Sequence, residues 1–325
     1  MILKGVASVL VLAILATPLV VEAQPAKTMY RIGVLSPGAS PPGPLEAFRE
    51  GLRDLGYVDG QTVVIEWRFA EGKNEQLPAL ADELVRLKVD VIFAVNTSAA
   101  RAAKKATTTI PIVIARLADP VKTGLVPSIA HPGGNITGLS SISEELATKR
   151  LQMLKEVLPG VSRMAILFNA ENPGHLTVVR ETVGVSTQLG LELQTLGVRG
   201  ASDLPGAFQA ITRGRAGALF VMDDVAITLL RVPILNQAAM HSLPVAAQYK
   251  EFAEAGALFT FAHDLTAEYR RGAYYVHRIL RGAKPADLPI EQPTKFELII
   301  NMKTAKAFGL TIPASVLLRA DRLIE

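Results

Sequence analysis

The chain has no cysteine in its 325 residues. That absence excludes disulfides, thiolate nucleophiles, zinc–thiolate sites and a lipid carried on an N-terminal cysteine. Stability must then come from core packing. Trp67 is the single tryptophan. Charge is nearly balanced, with 34 Lys and Arg against 30 Asp and Glu and a net +4. No basic run of the kind that marks a nucleic-acid site occurs. Beyond the N-terminus no stretch approaches the ~18 apolar residues of a membrane span. Catalytic signatures are also missing. There is no H-E-x-x-H, G-x-S-x-G or G-x-x-x-x-G-K-[ST]. The loop after the first apolar strand, residues 36–44, is not G-x-G-x-x-G. Histidines 131, 175, 241, 263 and 277 lack metal-ligand spacing. No metal and no cofactor is expected.

The first 23 residues carry the clearest positive signal. Lys4 precedes an apolar run over 6–15, and Val21-Glu22-Ala23 offers small residues at the spacing a signal peptidase reads. This is the layout of a secretory signal peptide over 1–23, cleaved before Gln24. An uncleaved anchor is the competing reading. The uncharged span over 5–21 contains Pro18 and is short of the ~20 residues a spanning helix needs. An exported, cysteine-free chain suits a bacterial periplasm, with no lipid tether.

Apolar residues make up 49% of the chain, enough for well-packed cores. The length suggests two domains of ~150 residues. Short apolar runs alternate with amphipathic stretches. Strand starts fall near 32, 63, 91 and 112, then near 164, 191, 218 and 244. The two halves repeat in architecture but not in sequence. Continuous apolar strands between helices imply parallel sheets covered on both faces. Residues 127–141, rich in Pro, Gly and Ser, mark a boundary. A helix with a kink or start at Pro233 is expected before residue 240. The tail adds a strand over 258–261, a helix over 265–281, a Pro-rich segment over 284–293 and a strand over 296–300. These extra elements read as chain returning between two hinged lobes.

Ligands of doubly wound sheets bind at the carboxyl ends of strands. The residues found there are Ser36, then Asn96-Thr97-Ser98, Arg116 and Asp119. In the second half they are Asn169, Asp223-Asp224, Gln248-Tyr249-Lys250 and His263-Asp264. This chemistry suits a small zwitterion. Thr97 and Ser98 begin a helix, where free N–H groups and the dipole favour a carboxylate. Asp223 or Asp224 could pair with an ammonium group, and Tyr249 or Phe261 could flank an apolar side chain. Arg116 is either a carboxylate ligand or a solvated loop residue. Plain helix capping competes at Thr97, Ser98 and Asp264, and a plain turn competes at Asp119-Pro120.

Several segments together resemble a known family. They are residues 31–36 (RIGVLS), 47–57 (AFREGLRDLGY), 119–126 (DPVKTGLV), 132–138 (PGGNITG) and 292–301 (QPTKFELIIN). The chain resembles the ABC-transporter substrate-binding family that includes the tryptophan- and tyrosine-binding TrpX-like proteins. The resemblance implies a type I periplasmic binding fold, α/β, with two Rossmann-like lobes of parallel sheet joined by a three-segment hinge. Lobe I is then 24–140 plus 263–290, and lobe II 141–262 plus 291–325. Carried over residue by residue, the family's ligand loops fall on Ser36, on Thr97, Ser98 and Ala99, and on Asp119. In the second lobe they fall on Asn169 and Asp223. Asp223-Asp224-Val225 departs from the family pattern, which often has a proline between polar residues there. With Asp224 and Tyr249 added, these nine residues are the expected site.

The expected function is capture of a small molecule, an amino acid or small organic acid, by a monomeric periplasmic component of an ABC importer. Its partner would be the permease at the inner membrane, and nucleic acid is not expected. A secreted α/β enzyme lacks its motifs here. A DNA-binding regulator on this fold would need a headpiece where the signal peptide stands. A binding module for a membrane chemoreceptor stays open alongside the importer component.

Overall fold

The computed structural model describes residues 29–38, 43–141, 143–222 and 224–325. The expected signal peptide and Asp223 lie outside the described residues.

The first half builds a five-stranded sheet. Its elements are β1 (Tyr30–Ser36), α1 (Pro44–Asp54), β2 (Val63–Phe69), α2 (Leu77–Arg86), β3 (Val91–Val95), α3 (Asn96–Ala106), β4 (Ile112–Leu117) and β5 (Ile136–Ser140). The strands run in the order β2-β1-β3-β4-β5, all parallel. Every residue of β3 and β5 is buried, as expected of strands covered on both faces. Leu45, Phe48 and Leu52 of α1 cover one face, where Phe48 stacks on Phe93 of β3 at 4.1 Å. Leu77, Ala81 and Leu84 of α2, with Ala99, Ala100 and Ala103 of α3, cover the other.

The second half contributes α4 (Ser143–Val157), β6 (Arg163–Asn169), α5 (Pro173–Ser186), β7 (Glu192–Val198), α6 (Leu204–Gly214) and β8 (Leu219–Val221). It continues with α7 (Val225–Leu229), α8 (Arg231–Met240), β9 (Val245–Ala247), α9 (Lys250–Glu254) and β10 (Phe259–His263). The helix break falls at Leu230, and Pro233 sits in the first turn of α8, where its missing N–H costs nothing.

The chain then crosses back. Helix α10 (Leu265–Leu280) packs on the first sheet beside α1. Gly272 permits this, because a Cβ there would stand 2.6 Å from the Phe93 ring. The tail returns to the second sheet as β11 (Phe296–Asn301), α11 (Met302–Ala307), α12 (Ala314–Leu317) and β12 (Arg322–Ile324). That sheet runs β12-β11-β10-β9-β8-β6-β7.

The expected two parallel-dominated sheets are present, with one reversed pairing. The second sheet is parallel except that β11 runs antiparallel to β10. The returning chain enters at the carboxyl end of β10, with Phe296 opposite His263, so it can only run backwards along its neighbour.

Three crossings therefore join the lobes, between β5 and α4, between β10 and α10, and before β11. The first and third touch. Ser140 N–H donates to the Glu291 carbonyl at 2.9 Å, and Leu139 bridges Glu291.

Candidate functional site

The carboxyl ends of β3 and β4 face those of β6, β8 and β9 across a cavity. Asn96, Thr97 and Arg116 line it from the first lobe; Asn172, His175 and Asp224 are among the residues lining it from the second. Gln248 and Tyr249, at the end of β9, complete one wall.

Asp224 is the electrostatic centre of the second lobe's side. It is 3% exposed. Its Oδ1 accepts the Ile227 N–H at 2.9 Å, capping α7. Its Oδ2 accepts from Asn169 Nδ2 at 2.9 Å and from Asn172 Nδ2 at 3.1 Å. Among the described residues no Lys, Arg or His forms an ion pair with it. Three N–H groups thus hold a buried carboxylate beside the cavity without a counter-cation. Asn169 takes its place through the same network, its Oδ1 accepting the Glu171 N–H at 2.9 Å. Its own N–H donates to His175 Nδ1 at 3.1 Å, which leaves the imidazole proton on Nε2.

The first lobe offers donors. Asn96 begins α3 at φ 74°, in the left-handed region where asparagine is tolerated better than most residues. Its Oδ1 accepts the Ala99 N–H at 3.1 Å. Its Nδ2 is buried and has no hydrogen-bond partner. A buried unpaired donor costs ~1–3 kcal/mol unless something fills it. It stands at the N-terminus of α3, whose dipole adds a partial positive charge.

Arg116 ends β4, also left-handed at φ 54°, and its guanidinium lies 4.6 Å over the Tyr249 ring. Its N–H donates to Glu268 Oε1 at 2.7 Å. Burial works to raise the Glu268 carboxyl, but His263 and Arg116 outweigh it and hold the group below the usual carboxylate range. Burial also pushes the neighbouring Tyr269 phenol above its ordinary value.

The remaining expected residues are placed as follows. Thr97 is buried and faces α5 so closely that a Cβ on Gly174 would stand 2.5 Å from its Oγ1. Ser98 Oγ donates across the cleft to the Glu171 carbonyl at 3.4 Å and lines an outer groove with Arg101 and Pro173. Ser36 is buried at the end of β1, its Oγ accepting the Gly38 N–H. Ala99 packs in the core behind α3. Asp119 accepts the N–H groups of Val121 and Lys122 at 2.8 and 3.0 Å, which is turn geometry. Thus Thr97, Asp224 and Tyr249 share the cavity lining, Asn169 reaches it through Asp224, and Ser36, Ser98, Ala99 and Asp119 are not part of the lining.

Asn96, Arg116, Asn172, His175 and Gln248 also line the cavity and were not among the nine expected residues. Asn96 and Gln248 end apolar strands, a signal already in the sequence. Asn172 and His175 lie in the next turn, where position alone does not mark them.

Comparison with known proteins identifies the family and the fold. The description "ABC transporter substrate binding protein" matches residues 44–324. A tyrosine-binding protein of Clostridioides difficile (strain R20291) is 27% identical over 266 residues, covering 82% of this chain and 76% of its own. An ABC domain from Streptococcus pneumonia, solved with L-Trp, is 26% identical with a TM-score of 0.84, covering 91% of this chain and 100% of its own. A conserved domain protein from Vibrio cholerae is 27% identical with a TM-score of 0.85 over the same shares. Two lobes of mainly parallel sheet with a cavity at the facing strand ends are the type I periplasmic binding fold, and the chain belongs to the ABC transporter substrate-binding protein family.

Proposed function

We propose that this protein captures an aromatic α-amino acid between its lobes and hands it to an ABC permease after export. The observation that carries the reading is Asp224. Three N–H groups satisfy this buried carboxylate without supplying a cation, and a ligand ammonium group would supply one. Across the cavity, the unpartnered Asn96 Nδ2 and the start of α3 suit the ligand's carboxylate. Tyr249, Met222 and Val178 supply an apolar lining for its side chain. The relatives named for tyrosine and solved with L-Trp support the same ligand class.

Binding uses no covalent chemistry. The ligand completes hydrogen bonds from both lobes at once, so it favours the state in which the lobes meet. A Cβ on Gly174 would stand 2.5 Å from Thr97 Oγ1, so an added atom there would oppose that state. The reading makes the protein a monomeric carrier in the periplasm.

A thermal-shift assay with L-tyrosine and L-tryptophan tests it. A ligand at 100 times its Kd stabilises the folded state by ~2.7 kcal/mol. Asp224→Asn should abolish the shift while the unliganded protein stays folded. Absence of any shift across amino acids and small carboxylates would reject the reading.

A further inference from the structure

Four residues, one of them partly through its backbone, join the hinge to the ligand cavity in a closed circuit. Glu268 stands in the first turn of α10, just past the second crossing, and is 8% exposed. Its Oε1 accepts the Arg116 N–H at 2.7 Å, and its Oε2 lies 2.5 Å from His263 Nε2. The Arg116 guanidinium covers the Tyr249 ring at 4.6 Å. The Tyr249 ring meets the His263 ring edge-on at 5.7 Å, which returns the circuit to its start.

Arg116 on β4 and Glu268 on α10 go with the first sheet; Tyr249 follows β9, and His263, expected as the first residue of the returning lobe I segment, pairs with Phe296 in the second sheet. Two of the four links, Arg116 to Tyr249 and His263 to Glu268, therefore pass between lobes. The circuit also spans two places in the molecule. Arg116 and Tyr249 line the ligand cavity. His263 and Glu268 line a second cavity, at the hinge, to which all three crossings contribute, with Ser140, Asp264 and Glu291 among them.

Arg116 joins the ligand cavity to Glu268. Its backbone is left-handed, a conformation an L residue keeps only when its surroundings impose it. The bond from its N–H to Glu268 is such an imposition. Strand β4 also shifts register against β5 between Ile114 and Leu117, so sheet pairing does not fix Arg116.

We propose that Glu268 is a positioning residue that couples lobe closure to the ligand site, by holding Arg116 over Tyr249 and meeting His263 at the crossing. The proposal rests on the inter-lobe cavity being the ligand site, and not on which amino acid fills it. A carboxylate that merely filled the core would affect stability and leave the balance between open and closed lobes alone.

That difference is measurable. The chain has no cysteine, so Asp82→Cys on α2 and Gln209→Cys on α6, both exposed and one in each lobe, give a clean pair of spin-label sites. Inter-lobe distances are read by pulsed electron resonance without ligand and with saturating L-tyrosine or L-tryptophan. Glu268→Ala and His263→Ala should each move the ligand-free distribution to longer distances and weaken amino-acid binding at least tenfold. Glu268→Gln keeps the acceptor for Arg116 and should restore the shorter distances.

Wild-type distributions in both alanine variants would overturn the proposal, whatever their melting temperatures. So would a glutamine variant as open as the alanine one. If Glu268→Ala does not fold, His263→Ala decides by the same criterion. If the wild type binds neither amino acid, the functional reading fails, while the ligand-free distances still decide the coupling.

Discussion

Asn96 shows how one residue can serve the cavity at the expense of its own backbone. An L residue at φ 74° is strained by roughly 1–2 kcal/mol, less for asparagine, and glycine pays nothing there. Asn96→Gly loses the cap on Ala99, a change worth a few tenths of a kcal/mol. Its unliganded stability should stay within about 1 kcal/mol of wild type by denaturant unfolding. Amino-acid affinity should fall at least tenfold, the ~1.4 kcal/mol or more of one good hydrogen bond to a charged group. Opposite or parallel changes in the two measurements would separate a ligand residue from a cap. The sequence already showed Asn96, Arg116 and Asp224 as polar residues ending apolar strands. It could not show that Asp224 lacks a cation or that Asn96 has an idle amide, because both facts depend on chain distant in sequence. His175 was harder still, since its role comes from Asn169 fixing its tautomer.

Among the elements, the start of α5 packs closely against the start of α3, across the two lobes. Gly174→Ala places a Cβ 2.5 Å from Thr97 Oγ1 and 2.9 Å from Ala118. Alanine is the better helix former by ~1 kcal/mol, so the free protein should be no less stable. Ligand affinity should nevertheless drop at least tenfold in calorimetry, because the closed arrangement is obstructed.

A second element-scale prediction concerns α10. Burial, then Arg281 and Arg278, lower the His277 pKa below its ordinary 6.5. The unfolded chain therefore binds the proton more readily than the folded one. The neutral imidazole's contribution is complete above pH ~6.5 and is lost as pH falls through the lowered value. His277→Gln should flatten the fall in melting temperature between pH 7 and pH 5; an unchanged slope would show that His277 does not contribute.

The elements themselves were readable because period and burial agree, as in Leu77, Ala81 and Leu84 of α2. The reversed direction of β11 was not. An apolar run such as residues 296–300 reads the same whichever way it pairs, and its direction follows from where the chain re-enters the sheet.

For the whole molecule, two α/β halves and a tail that crosses between them were visible as a repeat of strand starts. The tail does two jobs at once: α10 completes the first lobe's core around Phe93, and β11 extends the second lobe's sheet. Each lobe thus depends on chain that passes through the hinge, which makes the hinge part of both cores. The space between the lobes is proposed as a site for a zwitterion with an aromatic side chain.

Isothermal titration calorimetry tests it most directly, with L-tyrosine and L-tryptophan against tyramine, tryptamine and the corresponding propionic acids. At least one of the two amino acids should bind one-to-one. Removing either the carboxylate or the ammonium group should cost at least tenfold in affinity, ~1.4 kcal/mol or more in each case. Equal affinity for the amino acid and its decarboxylated or deaminated form would contradict the proposal, and so would no binding by either amino acid.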